Sequence, residues 1–309
     1  MADLLNPIFS DEDAARKHLE ALRWGKHRTC PHCGECEATS PTASKNHKPG
    51  LYYCNSCKSS FTVTVGTLFE RSHIPLNKWL LAFHLMAASK KGMSAKQMER
   101  MLGLSYKSAW FMCHRIREAM TTNPTTMLGG PGTSGIVEAD ETYWGNSSLK
   151  KKTGSKGTLP MMKIVSLVER DGEKRSFHVA NVTAATIGPI LKAQVASTVR
   201  LMTDEHTVYK TIGKKFSSHE TVAHGYGEYT RGDVTTNTVE SSFAILKRGL
   251  NGTFHSVSEK HLQRYANEFD FRWNTRQSQG YSDVDRALIA LKGITGKRLT
   301  YRRLDSQSA

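Results

Sequence analysis

Two cysteine pairs constrain the fold of this chain more tightly than any other feature. Cys30-Pro-His-Cys33 and Cys54-Asn-Ser-Cys57 repeat one CxxC spacing, with twenty residues between the pairs. Two such knuckles set four thiolates tetrahedrally around a single Zn2+. Metal binding then supplies roughly 10–16 kcal/mol that so short a segment does not obtain from burial. Four protein ligands leave no open coordination position, so the predicted site is structural. The competing reading is four ordinary buried cysteines. Cys36 is a rival to Cys33 in a shifted register, but it has no CxxC relation to Cys30; Cys113 sits apart on a helical pattern and reads as core. Tyr52, Tyr53, Phe61 and the run FTVTVGTLF supply ribbon strands. Six cysteines, five of them clustered, fit a reducing compartment better than a disulfide framework.

Beyond the ribbon the periodicity becomes helical. One helix is expected over Leu76–Ser89 and a second from Ser94 through SAKQMERML to Gly103. Ser105 then caps YKSAWFMCHRIREAM. Helix, short turn and helix is the helix-turn-helix pattern, whose second helix enters a major groove. That helix carries Lys107, His114, Arg115 and Arg117, and Lys107, Arg115 and Arg117 are the candidate DNA contacts. A plain three-helix bundle with a solvated basic face is the alternative.

The formal net charge is +15, with a pI near 9.6. Such a balance favours a polyanionic partner, and double-stranded DNA is the expected one, because neutralising phosphates releases counterions. A membrane surface fits less well: the charge is spread along folded-looking segments instead of one amphipathic helix. The start MADLLNPIFSDEDAARKHLE has no apolar core segment, and the longest apolar run, Trp79–Ala88, is too short to span a bilayer. The predicted location is cytoplasmic, in association with the nucleoid.

After TTNPTTMLGGPGTSG, a linker by composition, the pattern turns α/β. GIVEADETY, MKIVSLVER and SFHVANV read as strands, Ala184–Ser197 as a helix, and Val199–Thr203 as a short strand ending at Asp204. A helix then opens near Glu240, with Val239, Phe243, Leu246 and Leu250 forming its apolar stripe. This is the element order of a ribonuclease H-like mixed sheet with flanking helices. The expected domains are a helical segment (1–25), a zinc ribbon (26–68), a helix-turn-helix domain (69–122), a linker (123–134), a catalytic domain (135–283) and a tail (284–309). The lysines at 150, 151, 152, 156 and 163 read equally well as a solvated loop or a phosphate track.

The chemistry rests on carboxylates. Asp140 lies on the first strand of the sheet and Asp204 at the end of a later one. If those strands are neighbours, both face one point and the Glu240 helix adds a third oxygen ligand. Mg2+ or Mn2+ binds sparsely through such groups, and two ions clamp the attacking and leaving oxygens of an in-line phosphoryl displacement. Each acid has rivals. Glu138 shares the strand face of Asp140, Glu141 points the other way, and Glu205 and His206 adjoin Asp204. Glu240 also fits an N-terminal cap in Asn237-Thr-Val-Glu240. Lys247, two turns beyond Glu240, projects from nearly the same face, and Arg248 follows it. Leu262, Tyr265, Ala266, Phe269 and Trp273 read as a packing stripe, with Arg264, Arg272 and Arg276 as further basic side chains.

CPHCG…CNSC, SYKSAWFMCHRIREAM, VEADETYWG, TDEHTVY, NTVESSFAILKRGLNGTFHSVSEKHLQRYANEFDFRWNTR and GKRLTYRRL together resemble the zinc-ribbon insertion-sequence transposases of the DDE superfamily, of ISXO2-like type. The resemblance runs from about Trp24 to Leu304. It implies that Asp140, Asp204 and Glu240 bind two metal ions, and that the basic residue seven positions on, Lys247, contacts the transposon end. It also implies cleavage at the element's inverted-repeat ends, strand transfer into target DNA, and a homodimer or larger assembly on DNA. Two rivals are a DNA-binding regulator that has lost catalysis and a ribonuclease H-like repair nuclease. The intact acidic set argues against the first, and the two DNA-reading modules argue against the second.

Overall fold

The computed structural model describes residues 4–42, 49–145 and 161–300. Its contacts divide into two units: the chain up to Ser89 with Met93–Met120 and everything from Tyr281 on, and Lys90–Gly92 with Thr121–Gly280.

In the first unit, α1 (Glu12–Trp24) starts at Asp11, whose Oδ1 accepts the amides of Asp13 and Ala14 at 2.7 and 2.9 Å. The helix ends on the ribbon, which is an antiparallel sheet of β1 (Thr39–Pro41), β2 (Tyr52–Cys54) and β3 (Ser59–Phe61). Trp24 meets Tyr52 and Phe61 edge-on, with ring centroids 5.5 and 5.9 Å apart, and the Tyr52 hydroxyl donates to Glu20 at 2.8 Å. Three-residue strands have little stability alone, so this aromatic seat and the cysteine cluster carry the ribbon.

The helical part follows the caps written in the sequence. After α2 (Leu76–Ala88), Ser94 caps α3 (Ala95–Leu102), Gly103 takes the left-handed turn at φ 59°, and Ser105 caps α4 (Tyr106–Ala119).

The second unit is built on a five-stranded sheet. β4 (Ile136–Trp144), β5 (Met162–Glu169) and β6 (Lys174–Val179) run as an antiparallel meander. Then α5 (Ala184–Gln194) crosses to β7 (Arg200–Asp204), which pairs parallel to β4, and α6 (Thr207–Gly213) leads to β8 (Ser218–Val222), parallel to β7. A small hairpin of β9 (Thr230–Arg231) and β10 (Val234–Thr235) precedes α7 (Asn237–Gly249) and α8 (Glu259–Asn274). The strand order β6-β5-β4-β7-β8, with one antiparallel half and one parallel half, is a ribonuclease H-like mixed sheet.

Strand parity assigns the two faces. Val137, Ala139, Val165, Leu167 and Leu201 pack with Ile187, Leu191, Tyr209 and Ile212 on the α5–α6 side. Ile164 packs with Leu246, Leu262, Tyr265 and Phe269 beneath α7 and α8, and Val168 with Val239 and Phe243. The even-numbered polar positions of β4, Glu138 and Asp140, therefore lie on the α7 face. α8 also covers the open edge of β6. Asp270 accepts the Ser176 amide and hydroxyl at 2.6 Å each, and the Asn274 amide group bonds both the N–H and the C=O of Lys174, at 2.7 and 3.0 Å. An unpaired edge is thus satisfied by helix side chains.

Two sequence expectations differ from the structure. The segment expected as a free linker is docked: Leu128 is buried and exchanges backbone hydrogen bonds with Gln194 and Ala196. Gly129, at φ 73°, sits where a Cβ would lie 1.9 Å from Val199 Cγ1. The expected C-terminal tail is not all tail either, because α9 (Asp283–Lys292) opens with a Ser282–Asp285 capping box and packs against α2 in the first unit. The cluster Lys150, Lys151, Lys152 and Lys156 and the tail from Tyr301 lie outside the described residues. Lys163, on β5, donates to the Ala180 carbonyl at 3.0 Å. Among the described residues no helix is long and apolar enough to cross a membrane.

Candidate active site

The parallel pairing of β4 with β7 runs through Ile136↔Arg200, Val137↔Leu201 and Glu138↔Met202, then stops. Continuing that register by two residues sets Asp140 level with Asp204 on adjacent strands, just where the strands part. Equal parity puts both side chains on the α7 face, at the carboxyl ends of the parallel strands, the usual ligand-binding edge of an open α/β sheet. Glu240 enters from the first turn of α7 above them. All three acids are half-buried. Burial pushes the Asp140 carboxyl up to about 8; an amide hydrogen bond from Glu141 works against the shift, and the charges of Asp204, Glu141 and Glu240 reinforce it. Asp140 thus feels both other members of the triad.

The rivals have other employment. Glu138 is fully buried, and its carboxylate accepts the α7 amides of Thr238 and Val239 at 2.9 and 3.0 Å, the Thr238 hydroxyl at 2.9 Å and Arg170 Nε at 2.9 Å. It is the N-terminal cap of α7, supplied across the sheet. The N-cap residue Thr236 makes no side-chain cap bond and Thr235 Oγ1 takes only the Asn237 amide, at 3.1 Å; Glu240 Oε1 accepts the Thr236 hydroxyl at 3.0 Å, a contact that is not a helix cap. Glu141, on the opposite face, accepts the Tyr209 hydroxyl at 2.8 Å, with His206 Nε2 at 3.7 Å. Burial raises the Glu141 carboxyl, and burial with the neighbouring acids raises the Tyr209 phenol. Glu205 binds backbone amides of the loop after β8. Parity alone could separate Glu141 from Asp140. Separating Glu138 required knowing that a helix N-terminus lies over it.

A triad of hard oxygen donors, one of them desolvated and crowded by like charge, suits Mg2+ or Mn2+, whose charge would offset the burial and the like-charge repulsion that hold the Asp140 proton. Among the described residues only Cys30, Cys33, Cys54 and Cys57 bring three or more ligand atoms within 4.8 Å of one another, so the acids are spread more widely than a single closed cage. The cysteine sulfurs fit Zn2+ closely. Cys30–Cys57 and Cys33–Cys54 stand 3.7 and 3.6 Å apart, against about 3.8 Å for the edge of a tetrahedron with Zn–S bonds of about 2.3 Å.

The basic candidates divide. Lys247 and Arg248 lie in the last turn of α7, about 10 Å along the helix from Glu240, and Arg248 Nε donates to the Ala244 carbonyl at 3.1 Å. Lys107 is exposed in the first turn of α4. Two others do not face solvent as the sequence reading requires. Arg117 is 2% exposed, and Arg115 turns inward to donate to the Leu68 carbonyl at 2.8 Å over the Phe111 ring. His114 is buried as well, and so is Arg272, paired with Glu268 at 2.7 Å. The polar face of α4 is narrower than its charges suggest, because long side chains can pack their stems inward.

Residues 132–274 match the family model of the ISXO2-like transposase domain, and residues 10–60 match that of the transposase zinc-ribbon domain. An uncharacterized protein in transposable element ISH50 of Halobacterium salinarum is 29% identical, across 85% of this chain and 91% of its own length. Two solved structures overlap loosely. The Mos1 strand transfer complex has a TM-score of 0.21 at 12% identity, covering 66% of this chain and 78% of that one. The Mos1 mariner paired end complex with Mn has a TM-score of 0.23 at 13%, covering 65% and 79%. Overlaps of that size carry no argument about function.

Proposed function

From a chain that belongs to the ISXO2-like transposases by both of its matched domains, we propose an enzyme that binds the inverted-repeat ends of its own element, hydrolyses the DNA at their 3′ ends and joins those ends to target DNA. The observation that carries the catalytic part is the meeting of Asp140, Asp204 and Glu240 at the parting of two parallel strands under one helix N-terminus. Asp140, Asp204 and Glu240 would hold Mg2+ or Mn2+, which when bound would supply Lewis-acid stabilisation of charge at the phosphoryl group and activation of the oxygen nucleophile.

The chain's own part is positioning. The sheet fixes Asp140 and Asp204 on adjacent strands, and Glu138 clamps the α7 N-terminus so that Glu240 arrives at a set height. In the first step water attacks the phosphodiester at the element's end, the P–O bond to the 3′ oxygen breaks, and a 3′-hydroxyl is released. In the second, that hydroxyl attacks a target phosphodiester in line and displaces another 3′ oxygen. Lys247, on the same helix face, is placed to hold backbone phosphate and so fix the scissile bond against the acids. Recognition of the ends falls to the ribbon and to the first turn of α4, where Tyr106 and Lys107 are exposed; the first residues of such a helix are those that reach base edges. Two ends must be cut together, so the working species is a dimer or larger assembly on DNA.

The test uses the DNA flanking this protein's own coding region, with Mg2+ or Mn2+, beside Asp204→Asn and Glu240→Gln. End cleavage followed by joining, lost in both variants while binding survives, is the expected result. Sequence-specific binding with no metal-dependent cleavage by the unaltered protein would reject the catalytic reading and leave a regulator. Cutting without joining would leave a nuclease.

A further inference from the structure

Glu205 follows Asp204 directly, yet both of its carboxylate oxygens are committed elsewhere. Oε2 accepts the His224 amide and Oε1 the Gly225 amide, each at 2.8 Å. Those hydrogen bonds hold the carboxyl below its usual range, the larger share coming from Gly225. The amides belong to the short turn His224–Tyr226 that follows β8, and the turn lies close enough that a Cβ at Gly225 would come within 3.0 Å of Glu205 Oε1.

Anchored this way, the turn points the His224 ring at the third acid. Its Nε2 stands 3.4 Å from Glu240 Oε1 and 3.3 Å from Thr236 Oγ1, and Tyr229 packs against the ring with centroids 5.2 Å apart. Thr236 gives its single hydroxyl proton to Glu240 at 3.0 Å. Towards His224 the hydroxyl is then an acceptor, so Nε2 faces two acceptors and must carry hydrogen itself. The Glu240 carboxylate is therefore held from two sides, by a threonine of its own helix entry and by a histidine that Glu205 sets in place.

We propose that His224 is a positioning residue for divalent-cation binding: with Glu205 it forms a strut from the second acid of the triad to the third, and it fixes the orientation of the Glu240 carboxylate. The inference rests on the metal-binding reading of the triad. Hydrogen-bond partners behind metal-ligating side chains commonly govern affinity by 10–100-fold, and this strut adds a constraint that Asp204 and Glu240 move together.

The experiment measures Mn2+ binding to the full zinc-loaded chain by the paramagnetic resonance of free Mn2+, without DNA and without turnover. Zinc content and melting temperature are recorded for every variant. His224→Phe keeps a ring against Tyr229 but has no N–H, and is expected to weaken the Mn2+ site lost in Asp140→Asn by about tenfold or more. Glu205→Ala, which touches neither Asp140 nor Glu240, should weaken it in the same direction. His224→Gln, which keeps an N–H of similar reach, should stay within about threefold of the unaltered protein. Full affinity in His224→Phe, or no recovery in His224→Gln, overturns the strut and leaves the triad standing. If the unaltered chain shows no Mn2+ site sensitive to Asp140→Asn or Glu240→Gln, the metal-binding reading itself is wrong and the strut falls with it.

Discussion

Glu138 and Asp140 stand two residues apart on one face of one strand and have opposite fates. Glu138 is fully buried but surrounded by four donors, among them Arg170, which also reaches the Thr235 carbonyl at 3.2 Å. Its charge is compensated, and removing it leaves a half-buried guanidinium and two helix amides without that acceptor. Glu138→Ala should cost about 3–5 kcal/mol in urea unfolding, whereas loss of a mere metal ligand would cost far less. Among the described residues no cation pairs with Asp140, and burial with like charges lifts its carboxyl from 3.8 to about 8. Between those values the unfolded chain has released a proton that the folded chain retains. The stability tied to this group is therefore complete below about pH 3.8 and drains away as pH rises towards 8. Asp140→Asn should melt several degrees above the unaltered protein at pH 8 without added divalent cation, and level with it near pH 4. Equal melting curves at both pH values would contradict the environment drawn for Asp140. Added Mg2+ should raise the melting temperature of the unaltered protein and leave Asp140→Asn unmoved.

At the scale of elements, legibility followed how local the signal is. CxxC pairs, the Ser94 and Ser105 caps and Gly103 are written within a few residues, and the ribbon and the α3–α4 pair could be read directly. The alternating runs of β4 to β7 were legible for the same reason. β8 was not: its sequence Ser218-His-Glu-Thr-Val222 has one fully buried side chain and no apolar alternation, as an edge strand of the sheet allows. The cap of α7 comes from Glu138, a hundred residues from Thr238 in sequence, so local pattern matching named the wrong acid for that task. Arg117 reads as exposed on charge alone and is buried by the packing of neighbouring helices, which no short window contains. The strands β1–β3 are too short to persist without their metal. Stripping Zn2+ with a chelator should abolish hydrogen-exchange protection in Tyr52–Phe61 while leaving β4 to β8 protected, and Cys54→Ser should reproduce that pattern. Unchanged ribbon protection after verified zinc removal would mean that the Trp24–Tyr52–Phe61 seat suffices by itself.

On the proposed function, a net charge of +15 would draw in DNA, while the triad would set three acids against the very phosphate it must meet. Attraction and chemistry are thereby separable. The long-range field that gathers DNA depends on lysines and arginines and weakens steeply with salt. The local field at the acids opposes close approach until a divalent cation reverses it. Neutralising one acid should therefore help binding where the unaltered protein lacks metal. Asp204→Asn and Glu240→Gln should bind end DNA at least as tightly as the unaltered chain without Mg2+ at low salt, by up to severalfold, and the gap should close when Mg2+ is added. Lys247→Ala should instead weaken binding and lower the slope of log K against log salt by about 0.9, the loss of one phosphate contact. Fluorescence anisotropy on a labelled end fragment across a salt series reads all three. Weaker binding by both neutralised variants in the absence of metal would mean that those acids contact DNA bases or hold the binding surface together, and their assignment as ion ligands would have to be given up.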